Sequence, residues 1–141
     1  MNTFAIIVNA SNNEEAIDKS LKSFSKSSNH SISGCINYAE EQKLFESTAK
    51  NMVQEYINLK KSTKDMIKKF EDRVKENDFY LTQMKKNLER YEDHNYYFSQ
   101  EWKLVYFENN EANHVDDFEY YEEILNNNQK ENLFICLLDI L

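Results

Sequence analysis

The run Thr3-Phe-Ala-Ile-Ile-Val-Asn9 is β-branched and apolar at successive positions, the pattern of a strand covered on both faces. Ser11-Asn-Asn-Glu14 behind it matches a capping box, and Ile17, Leu21 and Phe24 follow at helical spacing, which predicts a helix over 12–26. Ser27-Ser-Asn-His30 reads as a polar turn with His30 in solvent. Residues 31–38 then alternate, placing Ile32, Gly34, Ile36 and Tyr38 on one face of a second strand. These segments make one β-α-β unit.

The period changes in the middle of the chain. Phe45, Ala49, Met52, Tyr56, Leu59, Thr63, Met66 and Phe70 follow the 4-3 alternation of a heptad, and after a step to Val74 it resumes through Leu81, Met84, Leu88 and Tyr91. Uninterrupted, residues 40–93 would form a rod of about 80 Å. Lys75-Glu-Asn-Asp78 is the most turn-like tetrapeptide nearby, and a helical hairpin folded there is preferred because it covers its own apolar stripe.

A second unit follows. Glu101-Trp-Lys-Leu-Val-Tyr-Phe-Glu108 predicts a strand ended by Asn109-Asn110, and Asn113 is placed to cap a helix with Val115, Phe118, Tyr121 and Leu125 on one face. Asn126-Asn-Asn128 closes that helix. Leu133–Leu141 is too short to span a membrane and too apolar for an exposed tail, so it reads as the last strand.

Two β-α-β units around a helical segment predict an α+β, ferredoxin-like sheet with a long αα-hairpin or coiled-coil insertion between strands two and three. One domain over 1–141 is expected, divided into a first unit (1–39), the insertion (40–95) and a second unit (96–141). Both short helices would share one sheet face, and the hairpin or a second copy would cover the other. The rival architecture is a mainly helical bundle with a small sheet from the terminal strands.

Composition narrows the function. With one glycine and no proline in 141 residues, the chain lacks the glycines that P-loops and dinucleotide-binding turns need for close approach to phosphate. Abundant Asn and Lys fit an AT-rich genome, such as that of a low-GC bacterium, its phages or a parasite. Two distant cysteines argue against a disulfide scaffold or thiolate zinc site, and no signal-peptide pattern opens the chain, so a cytoplasmic protein with reduced thiols is expected. In the ferredoxin-like arrangement Cys35 and Cys136 would lie on separate edge strands.

The net charge of −8 is concentrated: residues 94–141 carry two lysines against ten acids, and each of the two earlier segments is neutral. On the predicted last helix Asp116, Glu119, Tyr120 and Glu123 lie opposite the apolar face, with Asp117 at the flank. This sets an exposed tyrosine in an acidic surface, an anchor-and-steering arrangement suited to a protein partner with a basic surface. Lys61, Lys64 and Lys68 project from the outer side of the long helix and could follow a phosphate backbone. His114 with Asp116, Asp117 and Glu119 is the one metal-like cluster, but on a helix Asp116 points away from the face that His114 and Asp117 share, and no second imidazole lies within a turn. Asp93-His94 has no paired nucleophile.

Three function classes follow. The preferred one is a non-enzymatic protein-binding module, in its concrete form a stoichiometric inhibitor of a basic, nucleic-acid-handling protein (counter-defence, anti-CRISPR or immunity-protein type). The runner-up is a nucleic-acid-binding accessory protein using the lysine stripe. A small enzyme using His94 or His114 ranks last. No cofactor, metal or membrane is expected, and a homodimer could form through the helical seam or an open sheet face.

Overall fold

A computed structural model describes residues 2–23, 30–71, 79–92 and 104–140. Strand β1 (Asn2–Asn9) is apolar on both sides because both sides are covered: Ala5 and Ile7 face one cluster, Ile6 and Val8 the other. Helix α1 (Asn13–Lys22) leads to β2 (His30–Asn37), followed by α2 (Gln42–Glu71) and α3 (Phe79–Glu92). Strands β3 (Leu104–Glu108) and β4 (Glu111–His114) form a hairpin. Helix α4 (Phe118–Asn126) and a 3-10 turn at Lys130–Asn132 lead into β5 (Leu133–Ile140).

The five strands form one mixed sheet in the order β2-β5-β1-β3-β4. An α+β class is therefore correct, whereas the ferredoxin-like strand order and the helical bundle with a small terminal sheet are not what is observed. The last strand lies between β1 and β2, antiparallel to both. Its composition explains this placement: Leu133 and Ile135 are buried toward one face, Phe134, Cys136 and Leu138 toward the other, and an edge position would leave such a strand half uncovered.

The strand order also decides which face each helix covers. Strands β1 and β2 are parallel to one another, as are β4 and β5. The crossovers β1–α1–β2 and β4–α4–β5 travel in the same direction across the sheet from strands that point opposite ways. Crossovers of one hand then place α1 and α4 on opposite faces, not together as expected. The connection through α2 travels the other way from a strand parallel to β1, so it falls on the side of α4. The packing agrees: Ala16, Ile17 and Leu21 of α1 cover one face, while Phe45, Ala49 and Val53 of α2 join Tyr121, Ile124 and Leu125 of α4 on the other.

Several local readings shift. The N-cap of α1 is Asn12, which accepts from the Glu15 N–H at 2.9 Å, one residue later than the Ser11 box. His30 is the first residue of β2, not a turn residue. A bulge between Ile32 and Gly34 slips the alternation of β2, so Ile32 packs with α1 while Ile36 faces α2. The only glycine in the chain sits there, where an added Cβ would meet Leu137 Cδ1 at 3.4 Å. The tyrosine after β2, Tyr38, meets Phe45 edge-on with ring centroids 4.9 Å apart.

Helices α2 and α3 pack against each other, with Ile67 and Leu81 buried. The expected turn at 75–78 lies outside the described residues. In α2 the heptad reading fails after its first turns: Leu59 is 40 % exposed and Met66 49 %, whereas Val53 and Ile67 are buried. A straight helix drifts about 20° per heptad against a 3.5-residue repeat, so its inward position advances. Phe45, Tyr56 and Ile67, each eleven residues apart, are the buried line that results.

Candidate functional site

The β3–β4 hairpin turns on Asn109 and Asn110, whose φ values of 53° and 61° are those of a tight two-residue turn. Asparagine tolerates this left-handed backbone, and the turn brings Glu111 opposite Glu108. Strand β4 takes residues read as a helix start. Asn113 is therefore in a strand and does not cap α4; Asp117 does, its carboxylate accepting from the Tyr120 N–H at 2.7 Å. His114 is on β4, not on a helix with Asp117. It is buried and meets Tyr56 edge-on with ring centroids 4.2 Å apart.

Hairpin and helix together enclose a cleft of about 310 Å³. Glu108 and Glu111 line it from the hairpin, Glu123 and Asn127 from α4, and Tyr106 and Tyr120 form its aromatic walls. A chain of side-chain hydrogen bonds supports it. Asn9 Nδ2 donates to Asn128 Oδ1 at 2.8 Å, Asn128 Nδ2 donates to Tyr106 Oη at 3.1 Å, and Tyr106 donates its hydroxyl proton to Glu108. Burial, reinforced by that bond to Glu108, pushes the Tyr106 phenol up to about 12.

Tyr120 is half-buried and packs on the core, so it is not the exposed anchor expected from helical spacing. Because α4 starts at Phe118, Asp116 precedes the helix and does not share its outer face. Burial raises the Tyr120 phenol, the Asn113 side chain opposes that shift by hydrogen bonding, and the carboxylates of Glu108, Asp116 and Glu123 add to it. The exposed aromatic on this surface is Phe118, which helical spacing assigns to the buried stripe.

Beyond Tyr120 the groove continues along Asn113, Asp116 and Asp117 to a second depression lined by Ile57, Lys60, Lys61 and Lys64. Two sets of residues expected to act separately thus meet here: Lys61 and Lys64 of the lysine stripe share walls with Asp116 and Asp117. Lys68 is exposed and does not line this groove. Glu119 is exposed but lines neither depression, while Glu123 belongs to the cleft. Asp93-His94 lies outside the described residues.

Cys35 and Cys136 are not on separate edges. They are direct neighbours on β2 and β5, because β5 occupies the position next to β2. Among the described residues no group of three or more His, Cys, Asp or Glu side chains could hold a metal ion, and no helix is long and apolar enough to cross a membrane. Comparison with known proteins finds no matching family model, no significantly similar curated protein and no significantly similar solved structure.

The cap of α4 gives a direct check on this local geometry. Asp117→Ala should lower the unfolding free energy by about 1 kcal/mol, and Asp117→Asn by much less, because asparagine can still accept the Tyr120 N–H. Urea unfolding of the two variants measures the difference; equal losses would remove the assigned cap.

Proposed function

We propose that the chain is a non-enzymatic protein-binding module whose acidic cleft receives a lysine or arginine side chain of a basic partner. The supporting observation is the convergence of Glu108, Glu111 and Glu123 on one cavity with an aromatic wall at Tyr120. Among the described residues no lysine forms an ion pair with any of the three. A guanidinium or ammonium entering there gains charge-assisted hydrogen bonds from carboxylates and a ring face for its stem. Exposed Glu119 and Glu122 extend the negative field across α4, which favours rapid encounter with a positive surface.

A basic surface of this kind is what nucleic-acid-handling proteins present to phosphate. Carboxylates seated in such a channel block it with one inhibitor per target, so the module acts as a stoichiometric antagonist. The alternative, nucleic acid laid along Lys61, Lys64 and Lys68, is opposed by the carboxylates of Asp116 and Asp117 that line the same groove as Lys61 and Lys64. A gel shift at low salt separates the two readings.

Titration with an arginine-rich peptide tests the cleft. Replacing Glu108, Glu111 and Glu123 together by glutamine should weaken binding at least about tenfold, the loss of roughly 1.4 kcal/mol or more. A control triple at Glu14, Glu40 and Glu41, equal in charge change but remote from the cleft, should retain most of the affinity. If both triples lose affinity equally, net charge is responsible and the cleft is not a site.

A further inference from the structure

Tyr38 donates its N–H to the Leu133 carbonyl at 2.9 Å, which makes that directly opposed pair a hydrogen-bonded one in the β2–β5 ladder. Hydrogen-bonded and non-hydrogen-bonded pairs alternate along antiparallel strands. Counting down the register through Asn37↔Phe134 and Ile36↔Ile135 makes Cys35↔Cys136 a non-hydrogen-bonded pair. The ladder on the other side agrees. Ala10 donates to Asn132 O at 2.8 Å, so Cys136 is in a hydrogen-bonded position toward β1, as it must be if its other neighbour is not.

Non-hydrogen-bonded pairs bring opposed Cα atoms to about 4.5 Å, inside the range a disulfide spans. Here the two side chains already turn toward each other, with Sγ atoms 3.4 Å apart. Both cysteines are free thiols, Cys136 buried and Cys35 partly accessible.

We propose that Cys35 and Cys136 are a reversible cross-strand disulfide site, closed by exchange with a small oxidised disulfide such as oxidised glutathione and reopened by the corresponding thiol. Cys35, the accessible partner, releases its proton to solvent, and its thiolate attacks one glutathione sulfur. The glutathione S–S bond breaks, and the first glutathione leaves as a thiolate that takes up a proton. Cys136 then attacks the Cys35 sulfur of the mixed disulfide, forming the Sγ–Sγ bond and expelling the second glutathione. Two protein thiols are thereby oxidised by two electrons, and one glutathione disulfide is reduced to two thiols.

The surroundings suit these roles. Cys35 is partly accessible and meets the glutathione first, whereas Cys136 is buried within the sheet. The buried partner is thus the resolving thiol. Closure would tie β2, an edge strand interrupted by a bulge, covalently to the interior strand β5.

The full chain is equilibrated with glutathione buffers of increasing oxidation, quenched by alkylation and weighed intact. Wild type should lose two hydrogens, retain no glutathione, form no disulfide between chains and gain roughly 5–10 °C in thermal midpoint. Cys136→Ser should accumulate glutathione on Cys35, and Cys35→Ser should take up none while folded. Cys→Ala versions of both, checked by circular dichroism, guard against a folding defect. The proposal is overturned if native wild type remains a dithiol in fully oxidised buffer, retains glutathione on Cys35, or forms the bond only between chains.

Discussion

Replacing Phe45 by alanine is expected to lower the unfolding free energy by about 3–5 kcal/mol, a large part of the roughly 5–15 kcal/mol that holds a domain of this size folded. Phe45 is fully buried where α2 first meets the sheet, in one cluster with Ala5 and Ile7 of β1, Ile135 of β5 and Tyr121 of α4. These neighbours belong to separate elements, held by the sheet ladders and the α4 cap, so they cannot all collapse into the space a ring vacates. The edge-on contact with Tyr38 is lost as well. Leu44, its neighbour in sequence, is 49 % exposed, and Leu44→Ala should stay within about 0.5 kcal/mol of wild type. Urea unfolding of both variants checks the pair. If they are equally mild, α2 does not dock through Phe45.

This pair also marks how far residue patterns carry. Period distinguishes Phe45 from Leu44 without a structure, and the strands β1 and β5 are legible because they are apolar on both faces. Strand order is not legible in the same way. It depends on which two-sided strands become neighbours, and β5 fits beside β1 in more than one topology. Once β5 lies between β1 and β2, the positions of α1 and α4 follow from crossover handedness, and so does the meeting of Cys35 with Cys136. That cysteine contact spans 101 residues and left no local signal.

Other misses did have a local signal. Asn109-Asn110 between two strand-compatible stretches is the signature of a two-residue hairpin, and reading it as one would have moved Asn113 and His114 into a strand and the cap to Asp117. Helical spacing confines the acidic surface to the last helix, whereas the cleft takes Glu108 and Glu111 from the hairpin as well as Glu123 from α4. The heptad in α2 does not hold past its first turns: a repeat of 3.5 and one of 3.6 agree over two turns and part company by Leu59.

Raising the pH from about 10 to about 12 is expected to unfold the protein in a step that its tyrosines control. Tyr38, Tyr106, Tyr120 and Tyr121 all have phenols raised above the ordinary value of 10, in each case mainly by burial. A neutral phenol is the protonated form, so a raised pKa means that the folded chain holds protons the unfolded chain has released. The stabilisation is complete below about pH 10 and is lost as pH rises through the folded-state values. Tyr106, raised to about 12, contributes about 1–2 kcal/mol after allowance for screening of its Glu108 contact by solvent. Tyr121 is raised further by burial, and its hydroxyl has no hydrogen-bond partner among the described residues. Tyr121→Phe should therefore be neutral or stabilising near neutral pH, and Tyr106→Phe mildly destabilising because Asn128 and Glu108 lose a partner. In the double variant the alkaline loss of stability should shrink by half or more. Urea midpoints followed across this pH range, together with phenolate absorbance, measure both effects. An alkaline midpoint unchanged by the double substitution would assign the transition to other groups and remove Tyr106 and Tyr121 from its control.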